Sequence, residues 1–323
     1  MKDLAAKGCR LCGHSCLVDR RKGRVGRCGA GVDVGFAQAV IHYGEEPPLS
    51  GLSPRDGGSG AIFFSRCNLA CAFCQNWQIS QTEGGGVDIE VNELANIMLD
   101  LQQAGAYNVN LVSPTPYVVE IALALSLAKS QGLTIPIVYN SGGYDSLRAL
   151  AIMDGLVDVY LPDAKIGQNP LLAPGDPDSV AMRLFGAGDY ATVNQIALKE
   201  MLRQVGHLAL DSRGLATRGL LVRHLVLPDD LARTTLVLPW VAENLGVETC
   251  ISLMAQYHPN HRVRSDDLRE FREFPGLTRP LSVREYDAAV ALAWELGLEN
   301  SFIQDLAAAT LYRPNFNKPN AFN

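Results

Sequence analysis

The stretch Cys67-Asn68-Leu69-Ala70-Cys71-Ala72-Phe73-Cys74 brings three thiols together within eight residues. Three thiolates at this spacing can bind three irons of a [4Fe–4S] cube and leave the fourth iron open to a small chelating molecule. The run Gly60-Ala61-Ile62-Phe63-Phe64-Ser65-Arg66 just before it is typical of a buried β-strand. The cysteines are therefore predicted to lie on a loop at the C-terminal end of a strand, where α/β folds place their chemistry.

Simpler explanations of these three cysteines are a zinc site, a disulfide with a spare thiol, or buried structural cysteines. Structural zinc needs four closed ligands, and no fourth Cys or His follows closely after Cys74. Seven of the eight cysteines fall in two tight groups, which in a reducing compartment indicates metal or cluster ligation rather than disulfides. Cys250 stands alone and is predicted to be a small buried hydrophobe. The cluster is therefore the preferred interpretation.

The pattern Cys-x3-Cys-x-aromatic-Cys, with Phe73 as the aromatic residue, resembles the signature of the radical S-adenosylmethionine (SAM) enzymes. The following Gln75-Asn76-Trp77, and the sequence before the strand, resemble one subgroup, the proteins similar to the pyruvate formate-lyase activating enzyme. The resemblance implies that Cys67, Cys71 and Cys74 hold a catalytic cluster, that SAM chelates its open iron, and that Phe73 lies near the adenine. It also implies an oxidoreductase in which one electron cleaves SAM to a 5′-deoxyadenosyl radical that abstracts a hydrogen from substrate.

A second group, Cys9-x2-Cys12-x3-Cys16-x11-Cys28, offers four thiols within twenty residues near the N terminus. Four soft ligands separated by glycines suit a closed tetrahedral site, which could hold zinc or a second iron–sulfur cluster, in a structural or electron-relaying role. The ligand count does not choose between the two. His14, inside the group, is predicted to be exposed to solvent. The segment is also locally basic, which offsets the charge of bound thiolates, through the residues Arg20, Arg21, Lys22, Arg24 and Arg27.

Residues 32 to 60 form a segment dense in proline and glycine, including Pro47-Pro48 and Gly57-Gly58-Ser59-Gly60. This composition predicts a path over the surface of the main domain rather than a regular element. Glu45 and Glu46 could line the mouth of an active site, but a solvated pair is the preferred interpretation.

Apolar runs and helical periods alternate from residue 60 to residue 297. Strands are predicted at residues 60–66, 108–112, 135–139, 157–161, 219–226 and 250–255. Helices are predicted at residues 91–104, 118–130, 146–153, 178–184, 190–205 and 231–244, and a last one opens with the capping box Ser282-Val283-Arg284-Glu285. Six such units predict an α/β fold with a parallel sheet, and the family resemblance adds a partial (β/α)6 barrel.

Three regions follow from this reading of the chain. Residues 1–58 are predicted to form a Cys-rich metal-binding extension and linker, residues 59–300 the partial barrel, and residues 301–323 a C-terminal tail. The tail mixes aromatic residues with Asn and Pro, as in Tyr312-Arg313-Pro314-Asn315-Phe316-Asn317. It either packs across the open side of the barrel or varies with the substrate.

Polar groups follow the ends of the predicted strands. Ser113-Pro114-Thr115-Pro116 stands where the resembled family carries a Gly-Gly-Glu run that binds the SAM amino group. Ser113 and Thr115 are predicted to offer acceptors in its place, with a rigid proline-bracketed turn as the alternative. The resemblance further implies SAM or cation contacts at Asn140, Ser141, Asp163 and Lys165. A surface ion pair is the alternative for the Asp-x-Lys pair.

Arg223 and His224 are neighbours in a predicted strand, so only one of them can face the interior. Arg223 is chosen because a bidentate guanidinium suits the SAM carboxylate. His258, in Gln256-Tyr257-His258-Pro259, resembles a Tyr-His pair near the adenosine in activating enzymes. A satisfied structural histidine is the alternative.

Composition limits the classes of partner. The 323 residues are 47% hydrophobic, enough for one large core, and the net charge is −6 from 28 Lys and Arg against 34 Asp and Glu. No global basic field is present, so nucleic acid and anionic membranes are unlikely partners by charge. Met1-Lys2-Asp3 is followed by no apolar run, which predicts a cytoplasmic protein without membrane insertion.

Three hypotheses for function remain open from the sequence. The leading one is a radical SAM enzyme that receives electrons from a reductant such as flavodoxin or ferredoxin and, by the closest analogy, activates a glycyl radical enzyme. The second is radical chemistry on another peptide or a small metabolite. The third is a non-catalytic iron–sulfur electron carrier, which needs neither SAM nor a basin of polar strand-end groups. The step from family to substrate is an analogy only.

Overall fold

One mixed β-sheet carries the fold. The computed structural model describes residues 8–52, 57–173, 176–264, 268–307, 314–316, 318 and 321–322. Within them, ten strands are present: β1 Val34–His42, β2 Ser59–Phe64, β3 Val87–Ile89, β4 Asn108–Val112, β5 Ile137–Ser141, β6 Val159–Pro162, β7 Ala209–Leu210, β8 Ala216–Leu225, β9 Cys250–Met254 and β10 Ser301–Ile303. The α-helices of this part of the chain are α1 Pro47–Ser50, α2 Trp77–Ser80, α3 Val91–Gln103, α4 Val118–Ser130, α5 Leu147–Met153, α6 Ser179–Phe185, α7 Tyr190–Val205, α8 Thr234–Leu245 and α9 Val283–Glu295.

The strands lie in the order β3-β1-β2-β4-β5-β6-β8-β9-β10, and β7 pairs with β8. Every neighbouring pair from β2 to β10 is parallel, whereas β1 runs antiparallel to both β2 and β3. Helices α3, α4, α5, α7, α8 and α9 connect successive parallel strands, as parallel pairing requires. The prediction of an α/β fold with a mostly parallel sheet is therefore confirmed.

The predicted central strands and helices form because their apolar residues are buried on the expected faces. Strands β2, β5, β6 and β9 are buried along their whole length, as strands covered on both sides must be. Helix α3 turns Leu94, Met98 and Leu101 into the core. The predicted capping box opens α9: Glu285 N–H donates to Ser282 Oγ, and Ser282 N–H donates to the Glu285 carboxylate.

The prediction of an irregular linker over residues 32 to 60 is wrong. Residues Val34–His42 form the nine-residue strand β1, which pairs Ala39 with Ile62 of β2. The prolines that suggested an irregular path all follow this strand, and Pro47 and Pro48 open helix α1, where proline is tolerated. Its first part, Val34–His42, is therefore part of the sheet.

The assignment of residues 301–323 to a tail also needs correction. Phe302 of β10 pairs in parallel with Ser252 of β9. Strands β3, β7 and β10 have only two or three residues, too few for a periodic signal in the sequence. Residues 1–7 of the predicted extension, and Tyr312, Arg313 and Asn317 of the predicted tail, lie outside the described residues. Among the described helices, none has the length and apolar character that crossing a bilayer requires.

Candidate active site

A cavity of about 250 Å³ opens at the C-terminal edge of the parallel strands. Its wall takes residues from β2, β4, β5, β8 and β9 and from the loops that follow strands. The predicted site residues in this wall are Cys67, Cys71, Phe73, Cys74, Ser113, Asn140, Ser141, Asp163, Lys165, Arg223 and His258. Of the residues predicted for catalysis and SAM binding, only Thr115 is absent from it.

The loop that carries Cys67, Cys71 and Cys74 leaves β2 through Arg66, whose φ of 67° turns the chain sharply. Arg66 is fixed in turn by an ion pair with Asp88 at 2.7 Å. Hydrogen bonds hold the loop's main chain at four places: Ala70 N to Phe185 O at 2.9 Å, Ala72 N to Leu184 O at 2.8 Å, Gln81 Nε2 to Cys71 O at 3.0 Å and Asn260 Nδ2 to Cys74 O at 3.2 Å. The loop is thus shaped by contacts from α6 and from the segments after α2 and β9.

Cys67, Cys71 and Cys74 are half-buried in the cavity wall, and desolvation disfavours the charged form of the first two. Burial raises the pKa of Cys67 to about 11 and that of Cys71 to about 12, and repulsion from neighbouring thiolates adds to the rise. The Lys165 ammonium acts in the opposite direction on both. Three soft sulfur donors that need compensating positive charge suit an iron–sulfur cluster. In the described part of the chain, no three His, Cys, Asp or Glu side chains surround the position of a single metal ion.

Asp163 and Lys165, after β6, form an ion pair with Lys165 Nζ 2.5 Å from Asp163 Oδ2. Both side chains are largely buried at the cavity wall, so this pair is not the surface ion pair that was the alternative interpretation. Burial alone would lower the pKa of Lys165, but Asp163 and the Cys71 thiolate raise it above its ordinary value. Lys165 is therefore a cation held beside the cysteine loop.

Thr115 lies away from the cavity. It begins the 3-10 turn Thr115–Tyr117 and is buried, with its Oγ1 donating to Asp145 Oδ1 at 2.7 Å. Ser113, whose φ is 63°, turns the chain, so that Ser113 lines the cavity whereas Thr115 lies beside Asp145. Ser141 is shared between the two, because it lines the cavity while its Oγ donates to Asp145 Oδ2 at 2.6 Å. The structure thus supports the proline-bracketed turn rather than an acceptor role for Thr115.

Arg223 faces the cavity and His224 points to the other side, so only one of the two faces inward, as the alternation of side chains predicts. His224 is buried between Ala164 O at 2.6 Å and Thr234 Oγ1 at 2.9 Å. The guanidinium of Arg223, however, already binds two carboxylates. Its Nε and Nη2 donate to the oxygens of Glu46 at 2.7 and 2.6 Å, and Nη2 also contacts Glu45.

Glu45 and Glu46 were predicted to be solvated, and this prediction is wrong. Their side chains are only 8% and 7% exposed, and a buried carboxylate needs a charge partner. Burial alone would raise the pKa of Glu45, but Arg223 and His42 outweigh it and lower the pKa to about 2. The sequence carried no signal for this pairing, because Arg223 follows Glu46 by 177 residues.

The side of the cavity near Phe73 is apolar. The Phe73 ring makes edge contacts with Tyr257 at 5.2 Å and with Phe185 at 5.9 Å between ring centres. The Tyr257 hydroxyl donates to Leu277 O at 2.7 Å and so holds the ring in place. This wall offers a flat apolar surface beside His258, which also lines the cavity.

Residues from the C-terminal segment complete another wall. Pro314 and Phe322 line the cavity. The Phe322 ring lies 4.1 Å from the His42 ring and 5.6 Å from the Phe63 ring, measured between centres. The tail was predicted either to pack across the open side of the barrel or to vary with the substrate. Its described residues Pro314 and Phe322 pack at the cavity wall, which agrees with the first alternative.

The N-terminal cysteines Cys9, Cys12, Cys16 and Cys28 face a second, much smaller cavity. Burial raises the pKa of Cys12 to about 12, with repulsion from the other three thiolates adding to the rise. His14 is half-buried and its Nε2 lies 2.9 Å from Asn68 O, so the prediction that it is exposed to solvent is wrong. All four cysteines line this cavity, which lies against the loop of Cys67, Cys71 and Cys74 through the contact of His14 with Asn68.

No protein-family model matches the chain. It is 29% identical over 302 residues to the uncharacterized protein MJ0674 of Methanocaldococcus jannaschii, a match that covers 91% of this chain and 76% of that protein. Solved structures that match the chain include two of HydG. One is HydG, a maturase of the [FeFe]-hydrogenase, with 12% identity and a TM-score of 0.45. The other is the FeFe-hydrogenase maturase HydG from Carboxydothermus hydrogenoformans, with 14% identity and a TM-score of 0.47.

Each structural match covers 73% of this chain, but only 48% and 50% of the two HydG chains. The chain thus spans about half the length of these maturases. At this level of similarity the matches carry no argument about activity, which is derived below from the cavity.

Proposed function

We propose that the protein is a radical SAM enzyme, in which Cys67, Cys71 and Cys74 hold a [4Fe–4S] cluster with SAM on its open iron. The observation that supports this most is the meeting of the three thiols with strand-end polar groups in one cavity. When bound, the cluster and SAM would supply one-electron cleavage of the S–C5′ bond and a radical that abstracts hydrogen. A carrier protein has no need of such a cavity.

The positions of the charged groups suggest how the chain would orient SAM. Lys165 is the proposed partner of the SAM carboxylate, because its ammonium lies close enough to Cys67 and Cys71 to oppose the rise that burial causes in the pKa of both thiols. The role predicted for Arg223 passes to Lys165, since Arg223 binds the two carboxylates of Glu45 and Glu46, whereas Lys165 binds the single carboxylate of Asp163 and has further N–H donors for an acceptor in the cavity. Arg223 would instead keep two carboxylates ionised and in place at the wall.

The remaining contacts follow from the polarity of the wall. Phe73 and Tyr257 offer the apolar surface for the adenine, with His258 beside it. Asn140 and Ser113 are the proposed acceptors for the SAM ammonium, in place of the missing Gly-Gly-Glu run. The Asn140 side-chain oxygen lies 3.4 Å from Arg223 Nη1, which orients its amide.

For the substrate, we propose a glycine on a partner polypeptide, so that the product is a stored glycyl radical. This narrower step is supported only by the resemblance of the residues from Cys67 to Trp77 to the activating enzymes. Hydrogen abstraction from another peptide or from a small metabolite is the competing outcome. Incubating the enzyme with candidate polypeptides and looking for a glycyl radical signal separates the two.

The experiment that tests the enzyme class is the EPR spectrum of anaerobically reconstituted, reduced full-length protein, recorded with and without SAM. We expect a signal that shifts with SAM, and 5′-deoxyadenosine on turnover. Cys71→Ala should lose the shift. Cys250→Ala removes a buried thiol that lies outside the cavity wall and is the matched control. A reduced-cluster signal that saturating SAM leaves unchanged would favour the electron carrier and remove the proposal.

A further inference from the structure

We propose that Cys9, Cys12, Cys16 and Cys28 hold an iron–sulfur centre that passes electrons to the centre at Cys67 through Asn68 and His14. The inference rests on the proposed function, because the acceptor is the cluster at Cys67. It goes further by giving the N-terminal group a redox role in place of the open choice between zinc and a cluster.

Hydrogen bonds to the sulfurs are the first support. Arg20 Nη2 lies 3.4 Å from Cys9 Sγ and 3.8 Å from Cys28 Sγ, and the Arg27 N–H donates to Cys16 Sγ at 3.5 Å. Donors of this kind stabilise thiolates rather than thiols, and they tune the reduction potential of iron–sulfur clusters. Three of the four sulfurs thus have a donor built into the fold.

The burial of Arg20 is the second support. Its side chain is 5% exposed, yet among the described residues its partners are two sulfurs and two main-chain carbonyls, Pro116 O at 2.6 Å and Gly31 O at 3.5 Å. A buried cation is costly unless negative charge lies beside it. Thiolates of a bound centre would supply that charge, whereas neutral thiols would not.

Asn68 connects the two sites. It follows Cys67 directly in the chain, yet it lines the N-terminal cavity together with Cys12 and His14. Its carbonyl oxygen lies 2.9 Å from His14 Nε2, and its Nδ2 donates to Tyr144 O at 3.1 Å. A path of covalent bonds with one hydrogen bond therefore runs from Cys67 through Asn68 and His14 to the N-terminal group.

The N-terminal group is also fixed against the residues that precede α5, which holds this path in place. Ser146 Oγ donates to Arg10 O at 2.7 Å, and Cys12 forms a β-bridge with Asp145. A side-chain carbon added at Gly13 would lie 2.3 Å from the Tyr144 ring, so only glycine allows this approach. Because electron tunnelling falls steeply with distance, a rigid short path favours transfer between the sites. A centre that only stabilised the N-terminal fold would not need to share Asn68 with the catalytic loop.

The proposed step transfers one electron and no atoms. A low-potential one-electron carrier of the flavodoxin or ferredoxin class reduces the N-terminal centre by one electron. That centre is reoxidised as the same electron reduces the centre at Cys67, and no proton moves. Lys22 and Arg24 are exposed on the outer side of the N-terminal segment and give it a surface suited to an acidic carrier.

The first test is the metal content and EPR of anaerobically reconstituted full-length protein. We expect two clusters, with the Cys67 signal broadened and relaxing faster when both are reduced. The Cys12→Ser/Cys16→Ser variant should lose half of the iron and this broadening, and keep the shift caused by SAM. Stoichiometric zinc in the wild type would overturn the relay. Two EPR signals that add without any broadening would also overturn it. If the EPR signal of the wild type does not shift when SAM is added, the proposed function itself is refuted.

The second test examines the path itself. His14→Ala should leave the iron content unchanged but slow the reduction of the Cys67 centre by a flavodoxin-type donor, by roughly 10-fold or more if it acts like other supports of metal sites. His207→Ala, which changes a histidine outside both cavities, is the control. Equal rates in wild type and His14→Ala, with both clusters present, would overturn the path. If His14→Ala loses iron, His14→Phe, which keeps an aromatic ring but removes the hydrogen bond to Asn68 O, repeats the measurement.

Discussion

Arg223→Met removes the cation that two buried carboxylates share. The guanidinium binds Glu46 through two hydrogen bonds of 2.7 and 2.6 Å and also contacts Glu45. The fall of the Glu45 pKa from its ordinary 4.5 to about 2, at about 1.4 kcal/mol per pH unit, corresponds to about 3 kcal/mol. Uncompensated buried charge of this kind costs about 3–5 kcal/mol. We expect Arg223→Met to lower the free energy of unfolding at pH 7 by that amount.

The pH dependence of the loss has a definite sign. Because the Glu45 pKa is lowered in the folded state, its stabilisation is complete above about pH 5 and is lost as the pH falls towards 2. In the variant, the two facing carboxylates repel, so acid that protonates one of them should restore stability. The difference between wild type and variant should therefore be smaller at pH 4 than at pH 7.

Urea unfolding followed by tryptophan fluorescence under anaerobic conditions measures both quantities. Arg279→Met is the matched control, since Arg279 also binds two acids, Asp229 and Glu285, but is 41% exposed. Its loss should be about 1 kcal/mol or less. A loss at Arg223 no larger than at Arg279, or one that is equal at both pH values, would refute the buried-pair argument.

Three further predictions concern the two cysteine sites. Lys165→Met should weaken SAM binding by about 2 kcal/mol or more, as measured by titrating the EPR shift with SAM. An unchanged midpoint of this titration would show that another residue binds the SAM carboxylate. Gly13→Ala should disturb the N-terminal site and lower its iron content, because the added carbon meets the Tyr144 ring, whereas Gly31→Ala meets no atom within 4 Å and should not. Cys71→Ala should abolish the SAM-sensitive signal and keep metal at the N-terminal group, as elemental analysis can show. Loss of both metals together would contradict two separate sites.

Much of the parallel sheet and its helices could be predicted because their signals are local. The helix predicted at residues 91–104 is observed at Val91–Gln103, since its apolar residues recur at the helical period. That only one of Arg223 and His224 faces the cavity likewise followed from the alternation of side chains along a strand. The grouping of Cys67, Cys71 and Cys74 followed from their spacing alone.

What the sequence did not reveal depends on distant partners. Strand β1 exists because it pairs with β2, and its own composition contains Gly35 and Gln38 among the apolar residues. The burial of Glu46 depends on Arg223, which no local pattern connects to it. Thr115 was predicted from the position of a family motif, but the turn that it begins directs its hydroxyl to Asp145 instead.

The distance along the chain between Glu46 and Arg223 also affects biosynthesis. At about 5–20 residues per second, the 177 residues between them take roughly 9–35 s to emerge from the ribosome. During that interval the two glutamates have no arginine to bind, and strand β1 can pair with β2 while the cavity beside it is unfinished. The N-terminal segment is therefore only partly folded until the ribosome has made β8, the fifth parallel strand. Truncations that end before Arg223 should yield chains that chaperones and proteases recognise as incomplete.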